Sequence, residues 1–326
     1  MIRFVGFGLT LLVAFALRPS GPGVASGRVA EVSGRPWVQS AQGQQRVFRG
    51  DADTVAVYAT VHDRAGRLVP DLTKDSFRVF DDGTEVKIQT FSNDQVPFIA
   101  VLMLDVSDSF TPPYFRVKSA AQAFVLALGD GDRLRIGSFG REVALSPWLT
   151  GDRAVLLRVL DEEIWPGGGT PLWRASKAAM DSLVDEVGHR VVLLLTDGVD
   201  RGLDFDCAPT TRNPLGPIGP CPGRDDVHTQ AMRSGFMFYA VGMEGASVDA
   251  GLTSLVEDTG GGHFDVQRND DLAETFQRVA DELHHQYAIG FAPTALDGRT
   301  HRLEVRLTLP GLTARTRKSY VAEARK

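Results

Sequence analysis

The chain has 326 residues, 43% of them hydrophobic and 23% charged, which is typical of one large folded domain with small additions. The formal net charge is −6, so the chain has no excess of basic residues with which to bind the phosphates of nucleic acid. We therefore expect no nucleic-acid partner.

The first residues have the pattern of a secretory signal peptide. Arg3 precedes an apolar run from Phe4 to Leu17, and the small residues Val24 to Ser26 suit a signal peptidase. The apolar run is too short for a comfortable membrane-spanning helix. We predict a signal peptide over residues 1–26 and a secreted or periplasmic protein; the alternative is an uncleaved signal that anchors the chain to a membrane. Residues 27–50 are polar and small, which predicts a linker.

A small β unit is predicted for residues 51–95. Apolar residues alternate with others from Val55 to Val61, and Asp81-Asp82-Gly83 is a turn signal between two further strand-like segments. This spacing favours short antiparallel strands.

Strands and helices alternate over residues 97–290. The strand-like segments, such as "PFIAVLMLD" and "RVVLLLTDG", are apolar along their length, which indicates burial on both faces. One helical segment places six apolar residues on a single face: Val117, Ala120, Ala121, Phe124, Val125 and Leu128. The pattern predicts an α/β fold with a doubly wound, mostly parallel, Rossmann-like sheet.

A C-terminal β segment is predicted for residues 291–326. Its segments "HRLEVRLTL" and "ARTRKSYVAE" alternate as strands do. The sequence leaves open whether they pair with residues 51–95 or extend the central sheet.

The only two cysteines, Cys207 and Cys221, lie in one stretch rich in proline and glycine. In an oxidising compartment a disulfide between them would stabilise this loop by about 3 kcal/mol. Two sulfur atoms are too few for a metal site, so we predict a structural disulfide.

Hydroxyls and carboxylates follow the predicted parallel strands. Asp105, Ser107 and Ser109 come directly after the first strand, and Asp197 follows "VVLLLT". Thr170 precedes Pro171, and we expect this threonine to cap a helix whose first residue is the proline. Ligands of open α/β sheets gather beyond the carboxyl ends of the strands. Oxygen ligands of this kind suit Mg²⁺, with Mn²⁺ or Ca²⁺ as alternatives, and leave a position that a ligand's carboxylate can fill.

The segment "DVSDS", the threonine of "GGGT" and the aspartate of "LLLTDG" resemble the metal-ion-dependent adhesion site of the von Willebrand factor type A (VWFA) domain. The resemblance covers about residues 97–290. It implies five metal ligands, which are Asp105, Ser107, Ser109, Thr170 and Asp197. In that family the hydroxyls bind the metal directly, the aspartates often act through water, and an acidic group of a protein partner takes the open position. The flanking segments "DLTKDSFRVFDDG", "YAIGF" and "HRLEVRL" resemble those of a secreted bacterial subgroup.

These features favour a non-enzymatic module that binds a protein partner through a cation. The alternatives are a metal-dependent hydrolase such as a phosphoesterase, and a structural scaffold with no bound metal. Against catalysis, Ser107 stands where a haloacid-type phosphatase needs a second aspartate, and no histidine or cysteine is placed as base or nucleophile. For His284 and His285, near the end of a helix, we expect a surface or interfacial role.

Overall fold

The computed structural model describes residues 54–108, 114–164, 166–196, 198–200, 221–243, 249–266 and 271–324. The predicted signal peptide (residues 1–26) and linker (residues 27–50) lie outside these ranges. Within them, no helix has the length and apolar character needed to cross a membrane.

The described residues form three β-sheets and six α-helices. The strands are β1 Val55–His62, β2 Phe77–Asp81, β3 Thr84–Val86, β4 Ile88–Ser92, β5 Phe98–Asp105, β6 Arg133–Phe139, β7 Val143–Leu145, β8 His189–Leu195, β9 Met237–Met243, β10 His263–Val266, β11 Tyr287–Phe291, β12 Thr300–Leu307, β13 Thr313–Arg315 and β14 Ser319–Val321. The helices are α1 Tyr114–Ala127, α2 Arg153–Glu162, α3 Leu172–Asp181, α4 Arg224–Ser234, α5 Ala250–Thr259 and α6 Leu272–His284.

The central sheet has the strand order β10-β9-β8-β5-β6-β7. Its strands are parallel except for β7, which pairs antiparallel with β6 at one edge. Along β5, Ala100, Leu102 and Leu104 face the core formed with α1, α2 and α6. The alternate residues Val101 and Met103 face the core formed with α3, α4 and α5. The predicted doubly wound, mostly parallel α/β fold is therefore confirmed.

This strand order fixes where a site can form. The chain moves from β5 to β6 on one side and from β8 to β9 on the other, and β5 and β8 are neighbours. The carboxyl ends of these two strands therefore flank the topological switch point, where open α/β sheets bind ligands. Asp105 is the last residue of β5.

The flanking strands form a β-sandwich, which answers the question that the sequence left open. One sheet has the order β13-β1-β11-β4 and the other β14-β12-β2-β3, and their inner faces share one apolar core. Strands from residues 55–92 thus pair with strands from residues 287–321. The boundary that we predicted at residue 290 falls within β11, which pairs with β1 and β4 and so belongs to the sandwich.

Strand β1 is buried on both faces. Val57, Ala59 and Val61 face the core of the sandwich. On the other face, the ring of Tyr58 stacks on His189 at the start of β8, with the ring centroids 3.9 Å apart. The Thr60 hydroxyl accepts a hydrogen bond of 2.9 Å from Gln286. Strand β1 therefore packs the sandwich against the α/β domain.

A buried ion pair joins the same two parts of the chain. Arg315 of β13 donates to the carboxylate of Glu282 in α6, which also lies 3.3 Å from the Tyr239 hydroxyl and 3.3 Å from His62 Nε2. Burial raises the pKa of Glu282, but His62 and Arg315 outweigh it and hold this pKa below its ordinary value. The carboxylate is therefore charged and fully engaged in the junction.

Helix α4 was not among the helices that the sequence predicted. Only Val227 and Ala231 of this helix are buried, so it lacks the apolar stripe by which helices are found in sequences. The helix connects the parallel strands β8 and β9, a connection that requires a crossover. Asp225 and Asp226 lie in its first turn, where carboxylates are favoured.

Candidate functional site

Asp105 is a fully buried carboxylate at the end of a buried strand. The Thr196 hydroxyl donates to its Oδ2 atom at 2.7 Å, and the backbone N–H of Ser107 donates to its Oδ1 atom at 3.0 Å. Each carboxylate oxygen has two lone pairs, so these two bonds leave capacity for further partners. They hold the carboxylate in one orientation at the switch point.

The loop after β5 is joined to the loop that carries Thr170. The backbone N–H of Asp108 donates to the carbonyl of Gly168 at 3.0 Å, and that of Gly167 donates to the carbonyl of Val106 at 2.7 Å. The Val106 N–H donates to the Phe139 carbonyl at 2.9 Å, which fixes the first of these loops to β6. Two of the three predicted site loops therefore lie side by side.

Glycine makes this close approach possible. Gly168 has φ +100°, a conformation that L side chains rarely adopt. A Cβ atom added there would lie 2.2 Å from the backbone nitrogen of Arg141, closer than any real contact. The second glycine of the "GGG" segment, Gly168, is therefore required for steric reasons.

Thr170 is fully buried, but the predicted helix cap is wrong. Helix α3 begins at Leu172, and its cap residue is Pro171, with φ −80° and ψ 64°. These angles belong to an inverse γ-turn, in which the Thr170 carbonyl accepts a bond of 2.9 Å from the Leu172 N–H. The turn displaces the helix start by one residue, so the Thr170 hydroxyl does not have the capping position.

Thr196 is a site residue that the sequence analysis missed. Besides donating to Asp105, its hydroxyl accepts a bond of 3.0 Å from the Gly198 N–H. It thereby connects the carboxylate on β5 to the segment that follows β8. The sequence does place the Thr196 hydroxyl at the end of a parallel strand. That this strand lies next to β5 follows only from the strand order, so the contact with Asp105 could not be predicted.

The predicted ligands divide into two groups. Asp105, Ser107 and Thr170 are described and buried, with Ser107 only 5% exposed. Ser109 and Asp197 lie outside the described residues. The three described residues offer one carboxylate and two hydroxyls, all hard oxygen donors, and this donor set fits Mg²⁺, Mn²⁺ or Ca²⁺.

The predicted disulfide is outside what the structure describes. Cys221 is described and exposed, whereas Cys207 lies outside the described residues. The pairing of the two cysteines stays a prediction.

Acidic residues surround this edge of the sheet. Asp108, next to Ser107, is exposed, as is Asp200. A cavity nearby is lined by four aspartates, Asp200, Asp225, Asp226 and Asp249, and by one basic residue, Arg224, and it borders Trp173. Trp173 is 8% exposed and packs in the core. The local charge therefore favours cations over anions.

A second group of titratable residues lies in the sandwich, where the sequence analysis placed no site. Ligand atoms of Asp81, Asp82 and His301 lie within 4.8 Å of one another. His301 Nδ1 lies 2.8 Å from Asp81 Oδ1, and Thr294 donates to Asp81 Oδ2 through both its backbone N–H and its hydroxyl, at 2.7 Å and 2.6 Å. These bonds explain Asp81 and His301 as a buried structural network, with the exposed Asp82 beside it.

Opposing effects set the charges in this network. Burial raises the pKa of Asp81, but the hydrogen bonds from Thr294 and His301 outweigh it and lower this pKa. Burial lowers the pKa of His301, and the neighbouring Asp81 outweighs that effect and raises it. The pair is therefore favoured in its charged form.

His284 also has a structural partner. Its Nε2 atom lies 2.7 Å from Oδ2 of the buried Asp132, whose Oδ1 atom accepts a bond of 3.0 Å from the backbone N–H of Phe98 at the start of β5. His285 contacts the carbonyl of Asp281 at 2.7 Å. Because His284 packs inside the protein between α6 and β5, its role is interfacial, as expected.

No protein-family model matches the chain, and no curated protein matches it.

Several solved structures that resemble it are von Willebrand factor type A domains. The domain of the type V pili tip protein Mfa5 from Porphyromonas gingivalis is 16% identical, covers 57% of this chain and 95% of its own, and has a TM-score of 0.42. A von Willebrand factor type A protein from Catenulispora acidiphila is 13% identical over 82% of this chain and 73% of its own, with a TM-score of 0.44. The ArnB paralog VWA2 from Sulfolobus acidocaldarius is 12% identical over 84% and 76%, with a TM-score of 0.41. These TM-scores are too low to support an argument about function, and the fold class rests on the strand order and hydrogen bonding described above.

Proposed function

We propose that this protein is an exported, non-enzymatic module that binds a protein partner through a divalent cation at the switch point of its central sheet. The cation is Mg²⁺, with Mn²⁺ or Ca²⁺ as the alternatives. Its proposed ligands are Asp105, Ser107, Ser109, Thr170 and Asp197. The observation that carries the proposal is the pair of backbone hydrogen bonds that joins the Ser107 loop to the Thr170 loop beside the buried Asp105 carboxylate.

The chemistry of the donors supports a cation with an open position. The two carboxylates and three hydroxyls of the proposed ligand set offer five oxygen atoms, whereas Mg²⁺ prefers six. A carboxylate from a partner fills the remaining position of the coordination shell. Thr196 supports the arrangement because its hydroxyl donates to Oδ2 of Asp105 and so holds the carboxylate in place.

Export and the disulfide belong to the same proposal. The N-terminal pattern of Arg3 and the following apolar run supports secretion, and an oxidising compartment permits a bond between Cys207 and Cys221. Mass spectrometry of the secreted chain, with and without reductant, tests both: a cleaved N-terminus is expected, and reduction is expected to add the mass of two hydrogen atoms.

Calorimetric titration of Mg²⁺ and of Mn²⁺ into the full chain tests the cation site. We expect saturable binding by the wild type, loss of binding in Asp105→Ala, and retained binding in Asp108→Ala, because Asp108 is an exposed neighbour. Thr170→Val removes one hydroxyl with little change in shape and is expected to weaken binding as well. Circular dichroism of each variant separates loss of the site from loss of the fold.

The open position is tested with peptides. Mn²⁺-loaded protein is titrated with short peptides that contain aspartate or, in matched controls, asparagine. Binding of the aspartate peptides that disappears with chelator supports the proposal. Cation binding with no preference for the carboxylate would contradict the proposed mode of partner binding, and absence of cation binding in the folded wild type would contradict the site.

A further inference from the structure

A cavity with two arginine side chains lies far from the switch point, between the end of α4 and the C-terminal strand β14. Arg233 and Arg317 line it, together with Gly235, Tyr320 and Glu323. Arg233 and Glu323 are exposed and Arg317 is half-buried, so the cavity opens to solvent.

Arg317 is held in place by backbone carbonyls alone. Its Nε atom donates to the Ser319 carbonyl at 2.8 Å, and its Nη2 atom donates to the Met232 carbonyl at 2.8 Å. In the part of the chain that the structure describes, it forms no ion pair and its Nη1 atom makes no hydrogen bond. The Arg317 guanidinium is therefore held in one orientation, and its Nη1 nitrogen is available to donate a hydrogen bond to a ligand.

A second guanidinium, that of Arg190, lies near that of Arg317. Arg190 donates to the carbonyl of Ser234, another residue that lines the cavity, and packs over the ring of Phe236. No carboxylate of the described residues pairs with Arg190 or with Arg233. Burial, together with the charge of Arg190, lowers the pKa of Arg317 to about 10.

The positive charge at this cavity exceeds what its surroundings neutralise. The carbonyls at the end of α4 supply roughly half of one negative charge. Glu323 is the acidic residue among those that line the cavity, and it lies beyond ion-pair distance of the described arginines. Partly buried cations without a counter-charge are costly, and a bound anion removes that cost.

Gly235 leaves space beside the available nitrogen. It ends α4 with φ +71°, and a Cβ atom added to it would lie 3.1 Å from Arg317 Nη1. Both groups line the same cavity. A guanidinium with free N–H groups beside open space is suited to the oxygens of a phosphate or carboxylate.

We propose that this cavity binds a small oxyanion, which contacts the guanidinium groups of Arg317 and Arg233. The bound group neutralises the arginines at the end of α4 and links that helix to the residues just before β14. The site is separate from the cation site and does not depend on it.

Titration calorimetry of the full chain with inorganic phosphate tests the proposal, at constant ionic strength and without divalent cations. A parallel titration with acetate distinguishes phosphate from carboxylate as the preferred anion. The wild type is expected to bind one of them in a one-to-one complex. Arg233→Gln is expected to weaken binding by about tenfold, the loss of one charge-assisted hydrogen bond. Glu323→Gln is expected to strengthen binding, because it removes a negative charge from the cavity.

Arg158→Gln is the matched control, since Arg158 is an exposed arginine of α2 outside the cavity. Its anion affinity is expected to equal that of the wild type. The proposal is overturned if neither anion binds the folded wild type, or if Arg233→Gln and Arg158→Gln have the same affinity. Arg233 and Glu323 are exposed, so these variants are expected to fold.

Discussion

The buried histidine at the junction of the sandwich and the α/β domain makes stability depend on pH in a defined way. His189 is 2% exposed, and neither of its ring nitrogens has a hydrogen-bond partner among the described residues. Burial lowers its pKa to about 3. In the unfolded chain the imidazole has its ordinary pKa of about 6.5.

The sign and size of the effect follow from proton linkage. Between pH 6.5 and pH 3 the unfolded chain binds one proton more at this position than the folded chain does, so the free energy of unfolding falls as the pH falls. The slope is about 1.4 kcal/mol per pH unit, and integration from pH 7 to pH 5 gives a loss of about 2 kcal/mol from this residue.

His189→Phe keeps a ring to stack on Tyr58 but cannot be protonated. The free energy of unfolding is measured by urea denaturation at pH 7, pH 6 and pH 5 for the wild type and the variant. The larger phenylalanine ring changes the free energy of unfolding by the same amount at all three pH values. The informative quantity is therefore the difference between the two proteins in the slope of this free energy against pH. We expect the wild type to lose about 2 kcal/mol more than the variant between pH 7 and pH 5.

His263→Phe, at an exposed histidine, controls for the loss of a histidine as such. Equal pH dependence in the wild type and His189→Phe would refute the reasoning. It would mean that water or a proton reaches the imidazole in the folded protein.

Three further substitutions test other parts of the structure. Gly168→Ala forces a Cβ atom against the Arg141 backbone at a positive φ, and we expect calorimetry to find cation affinity lowered by at least about tenfold, with the far-ultraviolet circular dichroism unchanged. Asp81→Asn removes the nearest of the three carboxylates around His301, whose raised pKa gives stability that is full below about pH 6.5 and lost as the pH rises through the folded-state value. Urea denaturation of this variant is expected to show a cost of about 3 kcal/mol at pH 6 that shrinks toward pH 9. Glu282→Gln leaves the half-buried Arg315 without its counter-charge, and a loss of about 3 kcal/mol is expected by the same assay.

The sequence predicted the central strands well because their signal is local. Every residue of β5 is buried, and an uninterrupted apolar run is what that burial requires. The position of Asp105 at the carboxyl end of the strand follows from the same run. The fold class and the edge that carries the candidate site could therefore be predicted without coordinates.

Long-range pairing and local exceptions were not predictable. Strand β1 pairs with β11, more than 200 residues later, and no local pattern contains that partnership. Helix α4 buries two residues and so shows no apolar stripe. A γ-turn at Pro171 replaces the expected helix cap, and the ψ angle that distinguishes the two is not restrained by the proline ring. The role of Thr196 depends on β5 and β8 being neighbours.

The candidate ligands differ in what holds them, and this difference determines how the proposed cation site should respond to a chelator. Asp105 is fixed by a strand that is hydrogen-bonded on both sides and buried on both faces. Ser107 and Thr170 lie on loops that are tied to each other by a few backbone hydrogen bonds. Such loops open at a small free-energy cost, whereas the sheet opens only with the domain. A cation that bridges the strand and the loops therefore adds most of its stabilisation to the loops. Chelation should raise hydrogen exchange in the Ser107 and Thr170 loops and leave exchange along β5 unchanged, and an equal change in both would argue that the cation holds the whole fold together.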